Sequence, residues 1–304
     1  MVAAAPSNAT QCCTGAELLR WRRGLLAQGG SAAGLDWLLE MQAGLIWQDL
    51  QRLQLSPERT VTLTASLQEL EAIWEQHRTT QKPLQYLVGR CPWRDLELQV
   101  AAGVLIPRQE TELLVDLALG LFSPSDGRNS APLLWADLGT GSGCLAVALA
   151  RAWPESRGFA IDLSHAALTQ AAANLRSHGL QEQVLPLLGS WWEPLRPYWG
   201  RLNLVLSNPP YIPTAVWKEL EPLVREHEPK LALDGGNDGL AAIRSIAMNA
   251  AEALAPEGWL VLEHHHDHSS AVQQLLRDAG LEGVSAYQDL EGNARFAVAR
   301  RPAP

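Results

Sequence analysis

The stretch Asp137-Leu138-Gly139-Thr140-Gly141-Ser142-Gly143 decides the fold of this 304-residue chain. It closes an apolar run, residues 133–138, that predicts a strand, and it precedes residues 144–153, whose periodicity predicts a helix. Glycines at such a turn let the backbone pass close to a ligand, and the first helical turn offers unpaired N–H groups. The stretch therefore predicts an α/β unit with a nucleotide-like cofactor against residues 139–143. Its G-x-G-x-G spacing differs from the dinucleotide fingerprint and disfavours a nicotinamide cofactor, and hence a dehydrogenase.

Strand and helix signals alternate after this loop, which predicts a Rossmann-like, doubly wound and mostly parallel sheet. The predicted strands are residues 133–138, 158–162, 184–188, 202–207 and 259–263, and the predicted helices include 144–153, 165–178 and 240–254. Residues 283–286 and 296–300 flank a turn at 291–293 and predict a terminal antiparallel hairpin. Seven strands are expected in all.

The region before the sheet has a different pattern. Residues 15–80 have apolar side chains at helical spacing, which predicts a small helical bundle. The pattern changes at Pro83, and residues 96–100 alternate with period two, as a strand does. We therefore predict a helical domain at 1–82, a hairpin-like linker at 83–107 and the α/β domain at 108–304, with a helix at 108–122 and a polar loop at 123–130.

Composition limits the classes of function. The net charge of −9 argues against a general nucleic-acid surface, because such binding depends on Lys and Arg. The apolar runs are too short for a membrane span, and no charged start leads into an apolar core at the N-terminus. The four cysteines show no paired C-x-x-C spacing, which favours reduced thiols and a cytoplasmic protein. The run from Glu263 to His268 is interpreted as a polar loop after a strand, so no metal site is predicted.

Two further features lie where the carboxyl ends of the predicted strands meet. Asp162 ends the second strand of the alternation, where a carboxylate can accept hydrogen bonds from both hydroxyls of a ribose. Its alternative role is to help cap the helix that follows Ser164. Trp191 and Trp192 follow the third strand, where an indole can pack on an adenine or belong to the core.

The tetrapeptide Asn208-Pro209-Pro210-Tyr211 follows the predicted strand 202–207. Two prolines lack N–H donors and keep the carbonyls of Asn208 and Pro209 out of helical hydrogen bonds. The Asn208 carboxamide and a free carbonyl together offer two acceptors for a planar NH2 group, on which Tyr211 can pack. Asn-Pro also marks ordinary turns, so the tetrapeptide alone does not decide between a turn and a site.

Taken together, these motifs resemble S-adenosyl-L-methionine-dependent methyltransferases that act on amide or exocyclic nitrogen, and within them the release-factor glutamine methyltransferases (the PrmC/HemK family). The resemblance covers roughly residues 80–300. The segments that carry it, in order, are 83–89, 105–108 with Glu110-Thr111-Glu112, 208–211, Glu228-Pro229, 232–236 and 238–240. The chain departs from the family at Gln109, Ser190, His265 and His268, of which Ser190 replaces an acidic residue near the adenine.

The resemblance implies the chemistry. S-adenosyl-L-methionine is bound by residues 139–143, Asp162, Trp191 and Asn208, and S-adenosyl-L-homocysteine is the product. Asn208, Pro209, Pro210 and Tyr211 bind the substrate, and Asn208, Pro209 and Tyr211 are catalytic. Arg108, Glu110 and Glu112 border the entrance.

The implied substrate is the glutamine of the Gly-Gly-Gln loop in class I peptide-chain release factors, methylated at N5. The helical domain is implied to hold another part of that protein. The alternatives are a glutamine of a ribosomal protein, an exocyclic amine of a nucleic-acid base, and a nucleotide-binding protein without turnover.

Overall fold

The computed structural model describes residues 10–122 and 132–303 and divides the chain into two compact units, Met1–Arg90 and Cys91–Pro304. The predicted loop at 123–130 lies outside the described residues. The predicted boundaries at 82/83 and 107/108 stay predictions. None of the helices within the described ranges has the length and apolarity needed to cross a membrane.

The first unit is built mainly from helices, as predicted. The helices are α1 (Gly15–Ala27), α2 (Ala32–Ala43), α3 (Trp47–Leu55), α4 (Leu67–Thr80) and α5 (Leu84–Val88). Capping boxes start α1 and α4, in which Thr14 pairs with Glu17 and Ser66 with Glu69. The apolar faces meet in a core that includes Leu35, Leu70 and Trp74. A two-stranded antiparallel sheet, β1 (Gln11–Thr14) with β2 (Thr60–Leu63), was not predicted.

The second unit begins with a hairpin and a helix that precede the main sheet. The hairpin is β3 (Arg90–Trp93) with β4 (Leu96–Gln99), and α6 follows at Glu112–Leu121. The predicted helix 108–122 therefore starts four residues later than expected. In the segment that was predicted as its first turn, the Arg108 carbonyl accepts a hydrogen bond from Trp93 Nε1 at 2.7 Å rather than from a helical N–H group.

The main sheet has seven strands in the described residues, in the order β10-β11-β9-β8-β5-β6-β7. The strands are β5 (Leu134–Leu138), β6 (Arg157–Asp162), β7 (Val184–Leu188), β8 (Leu202–Ser207), β9 (Leu254–Glu263), β10 (Glu282–Gln288) and β11 (Ala294–Arg300). Strands β5 to β9 pair in parallel, whereas β11 pairs antiparallel with β9 and with β10. The predicted doubly wound sheet and its terminal hairpin are confirmed.

Helices cover both faces of this sheet. They are α7 (Cys144–Ala152), α8 (His165–Ser177), α12 (Ala241–Ala253) and α13 (Ser269–Asp278). Three helices of four residues each, which were not predicted, lie between β8 and α12: α9 (Thr214–Trp217), α10 (Pro222–Arg225) and α11 (Lys230–Leu233). Alternate residues of the central strands face opposite cores: Trp135 of β5 packs with α6 and α7, and its neighbour Ala136 packs with α12 and α13. Because β5 has β6 on one side and β8 on the other, a crevice opens at the carboxyl ends of these strands.

Replacing Gly158 by Ala should destabilise the sheet. Gly158 lies beside Trp135 on the neighbouring strand, and a Cβ at Gly158 would overlap with the fully buried Trp135 ring. We expect the free energy of unfolding in urea to fall by roughly 1–3 kcal/mol. The matched control is Gly120→Ala in α6, where an added Cβ meets no atom within 4 Å. That variant should keep or slightly raise stability, and equal losses in both variants would contradict this packing account.

Candidate active site

A cavity of about 340 Å³ lies at the carboxyl ends of β5 to β8. Gly139 and Gly141 follow β5, Asp162 ends β6, Trp191 follows β7, and Asn208 follows β8; all of them line the cavity. The topology therefore brings together residues that are up to 69 positions apart in the sequence. The cavity is within the size range of small-molecule and cofactor sites.

The glycine loop is held against β6 by backbone hydrogen bonds. The N–H groups of Gly139 and Thr140 both donate to the Ile161 carbonyl at 2.8 Å, and Gly141 N–H donates to Asp162 Oδ2 at 2.9 Å. Gly139 and Gly141 have φ values of +77° and +55°, a region that favours glycine, and a Cβ at Gly139 would lie 3.4 Å from the Trp191 ring. The loop thus keeps its backbone open toward the cavity.

The remaining loop residues face the protein interior. The Thr140 hydroxyl donates to Asp137 Oδ2 at 2.6 Å, and burial raises the pKa of Asp137 to about 7. The Ser142 carbonyl accepts from Asn174 Nδ2 at 2.8 Å. Gly143 starts α7 with φ +83°, and a Cβ there would come within 3.0 Å of Ala171. The contacts of Thr140, Ser142 and Gly143 therefore hold the loop in place from the side that faces away from the cavity.

Asp162 supports the helix start considered from the sequence, and its binding of a ribose stays a prediction. Its Oδ1 accepts from Ser164 N–H at 2.8 Å, which supports the start of α8, and its Oδ2 accepts from Gly141. Burial raises the pKa of Asp162, against the lowering effect of these N–H donors. Because each carboxylate oxygen has two lone pairs, acceptor capacity remains toward the cavity.

The two tryptophans after β7 separate into a cavity residue and a core residue. Trp192 is buried, and its Nε1 donates to the Ile246 carbonyl at 2.9 Å. Trp191 has φ +46° and lines the cavity beside Ser190, and it also packs, partly buried, against the core that contains Trp192. An indole thus lies at the site, and its packing on an adenine stays a prediction.

The four residues of the tetrapeptide after β8 differ in burial and in their contacts. Asn208 and Pro210 line the cavity, whereas Pro209 is buried. Within the described residues, the Pro209 carbonyl accepts no hydrogen bond, as predicted. Tyr211 is half-buried beside the cavity, and its hydroxyl donates to Glu263 Oε1 at 2.9 Å.

Sequence reasoning missed the buried group behind the tetrapeptide. Thr111 donates to Glu263 Oε2 at 2.7 Å and accepts from Asn208 Nδ2 at 2.9 Å. Burial raises the pKa of Glu263 to about 7, and hydrogen bonds from Thr111 and Tyr211 act in the opposite direction. The signal was present, since Glu263 is a carboxylate at the end of an apolar strand, where burial demands partners.

A second buried carboxylate ties two walls of the cavity together. Glu228 accepts from Ile106 N–H at 3.1 Å and forms an ion pair with Arg108 at 2.7 Å. The segments on either side, which include Val104 and Pro229, line the cavity. Arg108 is therefore part of a structural clamp.

Glu110 and Glu112, the other two charged residues implied at the entrance, do not take part in the ion pair of Arg108 with Glu228. Glu112 accepts from the Arg94 backbone N–H at 3.0 Å, so it is held by the hairpin. Glu110 is exposed just before α6.

The histidine run follows β9 as a loop and a short turn of 3-10 helix, as predicted. Side chains of His265, His266 and Asp267 bring one ligand-type atom each to within 4.8 Å of one another. Within the described ranges this group offers three donors, fewer than the four of a structural zinc site. The absence of a metal site stays a prediction.

Two bacterial methyltransferases are similar in sequence to this chain over nearly its full length. A release factor glutamine methyltransferase from Prochlorococcus marinus is 48% identical over 286 residues, which cover 94% of this chain and 97% of that protein. A protein of the same name from Gloeobacter violaceus is 44% identical over 285 residues, covering 91% and 95%. The Methyltransferase small domain family matches residues 130–226.

A solved structure supports the fold independently. The catalytic domain of hMettl16, solved in complex with the MAT2A 3′UTR hairpin 6, superposes with a TM-score of 0.53. It is 13% identical in sequence and covers 67% of this chain and 74% of that chain. This similarity places the sheet among methyltransferase folds.

Removing the Glu228 carboxylate should loosen the cavity wall. Glu228→Ala leaves the Ile106 N–H buried without an acceptor, and we expect a loss of about 2 kcal/mol in the free energy of unfolding. The control is Glu226→Ala, whose exposed carboxylate pairs with Arg225 at the surface and should cost less than about 0.5 kcal/mol. Urea denaturation checks both, and a Glu226 loss as large as that of Glu228 would contradict the clamp.

Proposed function

The chain belongs to the release factor glutamine methyltransferase family, and on that premise we propose that it methylates N5 of the glutamine in the Gly-Gly-Gln loop of class I peptide-chain release factors. The methyl donor in this proposal is S-adenosyl-L-methionine, with S-adenosyl-L-homocysteine as product. The observation that carries the proposal is the position of Asn208 on the same cavity as the glycine loop, Asp162 and Trp191. The reaction takes place in the cytoplasm.

The cavity residues fit the proposed cofactor. Gly139 and Gly141 have no side chain that would fill the cradle, and Asp162 keeps acceptor capacity for ribose hydroxyls. Trp191 offers a ring face for the adenine, on the side where Ser190 provides a hydroxyl instead of a carboxylate. When bound, the cofactor supplies an electrophilic methyl group on a sulfonium centre.

The tetrapeptide has the groups needed to present an amide. An amide nitrogen is a poor nucleophile because its lone pair is delocalised, so catalysis depends mainly on alignment. Asn208 Oδ1 and the Pro209 carbonyl oxygen accept hydrogen bonds from the two N–H groups of the substrate amide and stabilise the positive charge that develops on its nitrogen. Pro210 fixes the turn, and Tyr211 packs on the amide plane.

The substrate is a protein in this proposal. The negative net charge of −9 disfavours nucleic acid as a direct substrate. We assign the helical region at residues 1–82 to holding another part of the release factor. The alternatives are a ribosomal-protein glutamine and an exocyclic base amine.

One labelling experiment separates these substrates. The purified chain is incubated with methyl-labelled S-adenosyl-L-methionine and, in parallel, with a class I release factor, ribosomal proteins or DNA. We expect label on the Gly-Gly-Gln glutamine of the release factor. Label only in ribosomal protein or DNA would contradict the proposed substrate, and label in none would favour a binding protein without turnover.

Asn208→Ala should reduce turnover far more than cofactor binding. The variant removes the acceptor that orients the substrate amide, so we expect kcat to fall on the order of 10²-fold. The Kd for the cofactor, measured by calorimetry, should change by less than about 3-fold, which corresponds to under 1 kcal/mol. Equal losses in kcat and affinity would contradict this role of Asn208.

Asp162→Ala should have the opposite profile. Loss of the ribose acceptor is expected to raise the cofactor Kd by about 10-fold or more, or about 1.4 kcal/mol. At saturating cofactor, kcat should remain within a few-fold of the parent. The control is Glu182→Ala at an exposed carboxylate before β7, which should leave the Kd unchanged. Unchanged affinity in the Asp162 variant would refute its role.

A further inference from the structure

A chain of hydrogen bonds runs from the cavity to a buried carboxylate. Asn208 Nδ2 donates to Thr111 Oγ1 at 2.9 Å, and Thr111 Oγ1 donates to Glu263 Oε2 at 2.7 Å. Thr111 and Glu263 are 2% and 1% exposed, so water does not compete for these contacts. The three residues come from the start of α6, the end of β8 and the end of β9.

The direction of this chain follows from the chemistry of its ends. An ionised carboxylate only accepts hydrogen bonds, and a hydroxyl has a single proton. Thr111 must therefore give its proton to Glu263 and can only accept from Asn208. The Asn208 carboxamide is then held by its NH2 end, and within residues 10–122 and 132–303 its Oδ1 accepts no hydrogen bond.

We infer that Glu263, acting through Thr111, is a positioning residue that determines which end of the Asn208 carboxamide faces the substrate. This inference rests on the proposed function, because only a substrate NH2 group needs Oδ1 rather than Nδ2 to face the cavity. The carboxamide is nearly symmetric in shape, so packing alone discriminates poorly between its two orientations. A directional hydrogen-bond chain supplies that discrimination.

The groups around Glu263 set the charge on which the direction depends. Burial opposes ionisation of Glu263, and so does the negative charge of Glu110. Hydrogen bonds from Thr111 and Tyr211 and the positive charge of Arg295 on β11 favour the ionised carboxylate. Cys144 on α7 also lies within electrostatic range. Because the pKa of Glu263 is raised to about 7, assays at about pH 8.5 keep it predominantly ionised.

A matched pair of Thr111 variants separates hydrogen bonding from packing. Thr111→Val keeps the volume and removes the hydroxyl, whereas Thr111→Ser keeps the hydroxyl and removes a methyl group. We expect Thr111→Val to lower kcat by about 10-fold or more and Thr111→Ser to recover most of that loss, with the cofactor Kd alike in both. If only packing matters, the order reverses, and that order would overturn the inference.

Glu263→Leu tests the source of the direction. A leucine side chain offers Thr111 no acceptor, so the Thr111 hydroxyl can turn and donate to Asn208 Oδ1, which leaves Nδ2 toward the substrate. We expect kcat to fall roughly 10²-fold with little change in cofactor Kd. A kcat within a few-fold of the parent would contradict the inference.

A measurement without substrate keeps this inference distinct from the proposed function. With selective ¹⁵N-asparagine labelling, the Asn208 side-chain amide is assigned by its loss in Asn208→Asp. One of its protons should exchange slowly with solvent in the parent and in Thr111→Ser, and rapidly in Thr111→Val and Glu263→Leu. Unchanged exchange in the last two variants would overturn the inference even if release factor is methylated. Failure of the parent to methylate release factor would count against the proposed function alone.

Discussion

The parallel pairing of β5 with β6 on one side and β8 on the other is the constraint on which the site depends. Parallel strands point their carboxyl ends to one edge, and the change of winding direction at β5 leaves that edge open. The glycine loop and Asn208 follow β5 and β8, Asp162 is the last residue of β6, and all three therefore share a cavity. A sheet of different order would separate them, whatever their sequence motifs.

Buried carboxylates then fix the loops that the sheet brings together. Glu263 and Glu228 each sit at positions where an unpaired charge would be costly, and each obtains donors from segments more than 100 residues away in the sequence. Their partners lie in the connection between β4 and α6 and, for Glu263, also in the tetrapeptide after β8. Because leaving these carboxylates without hydrogen-bond donors would be costly, their contacts fix the positions of the cavity walls. The bond between Glu263 and Thr111 also gives the contact to Asn208 its direction.

Much of the fold follows from local patterns. Apolar runs that alternate with helical segments predicted β5 to β9, because strands of a sheet covered on both faces have apolar side chains on both sides. The β1–β2 pair escaped prediction because its strands have four residues each and are separated by three helices. The cavity residues Asp162, Trp191 and Asn208 were predicted from their place after strands. Thr111 and Glu263 were not, because they are 152 positions apart and their contact exists only through tertiary folding.

In the proposed reaction, Asn208 and Pro209 each present one acceptor to a glutamine amide beside the cofactor cavity. The most direct measurement is a crystal structure of the chain with S-adenosyl-L-homocysteine and a release-factor fragment that contains the Gly-Gly-Gln loop. We expect the glutamine amide nitrogen at about 2.7–3.2 Å from both Asn208 Oδ1 and the Pro209 carbonyl oxygen. A glutamine bound elsewhere, or one that meets the Asn208 NH2 group through its carbonyl oxygen, would contradict this role of the tetrapeptide.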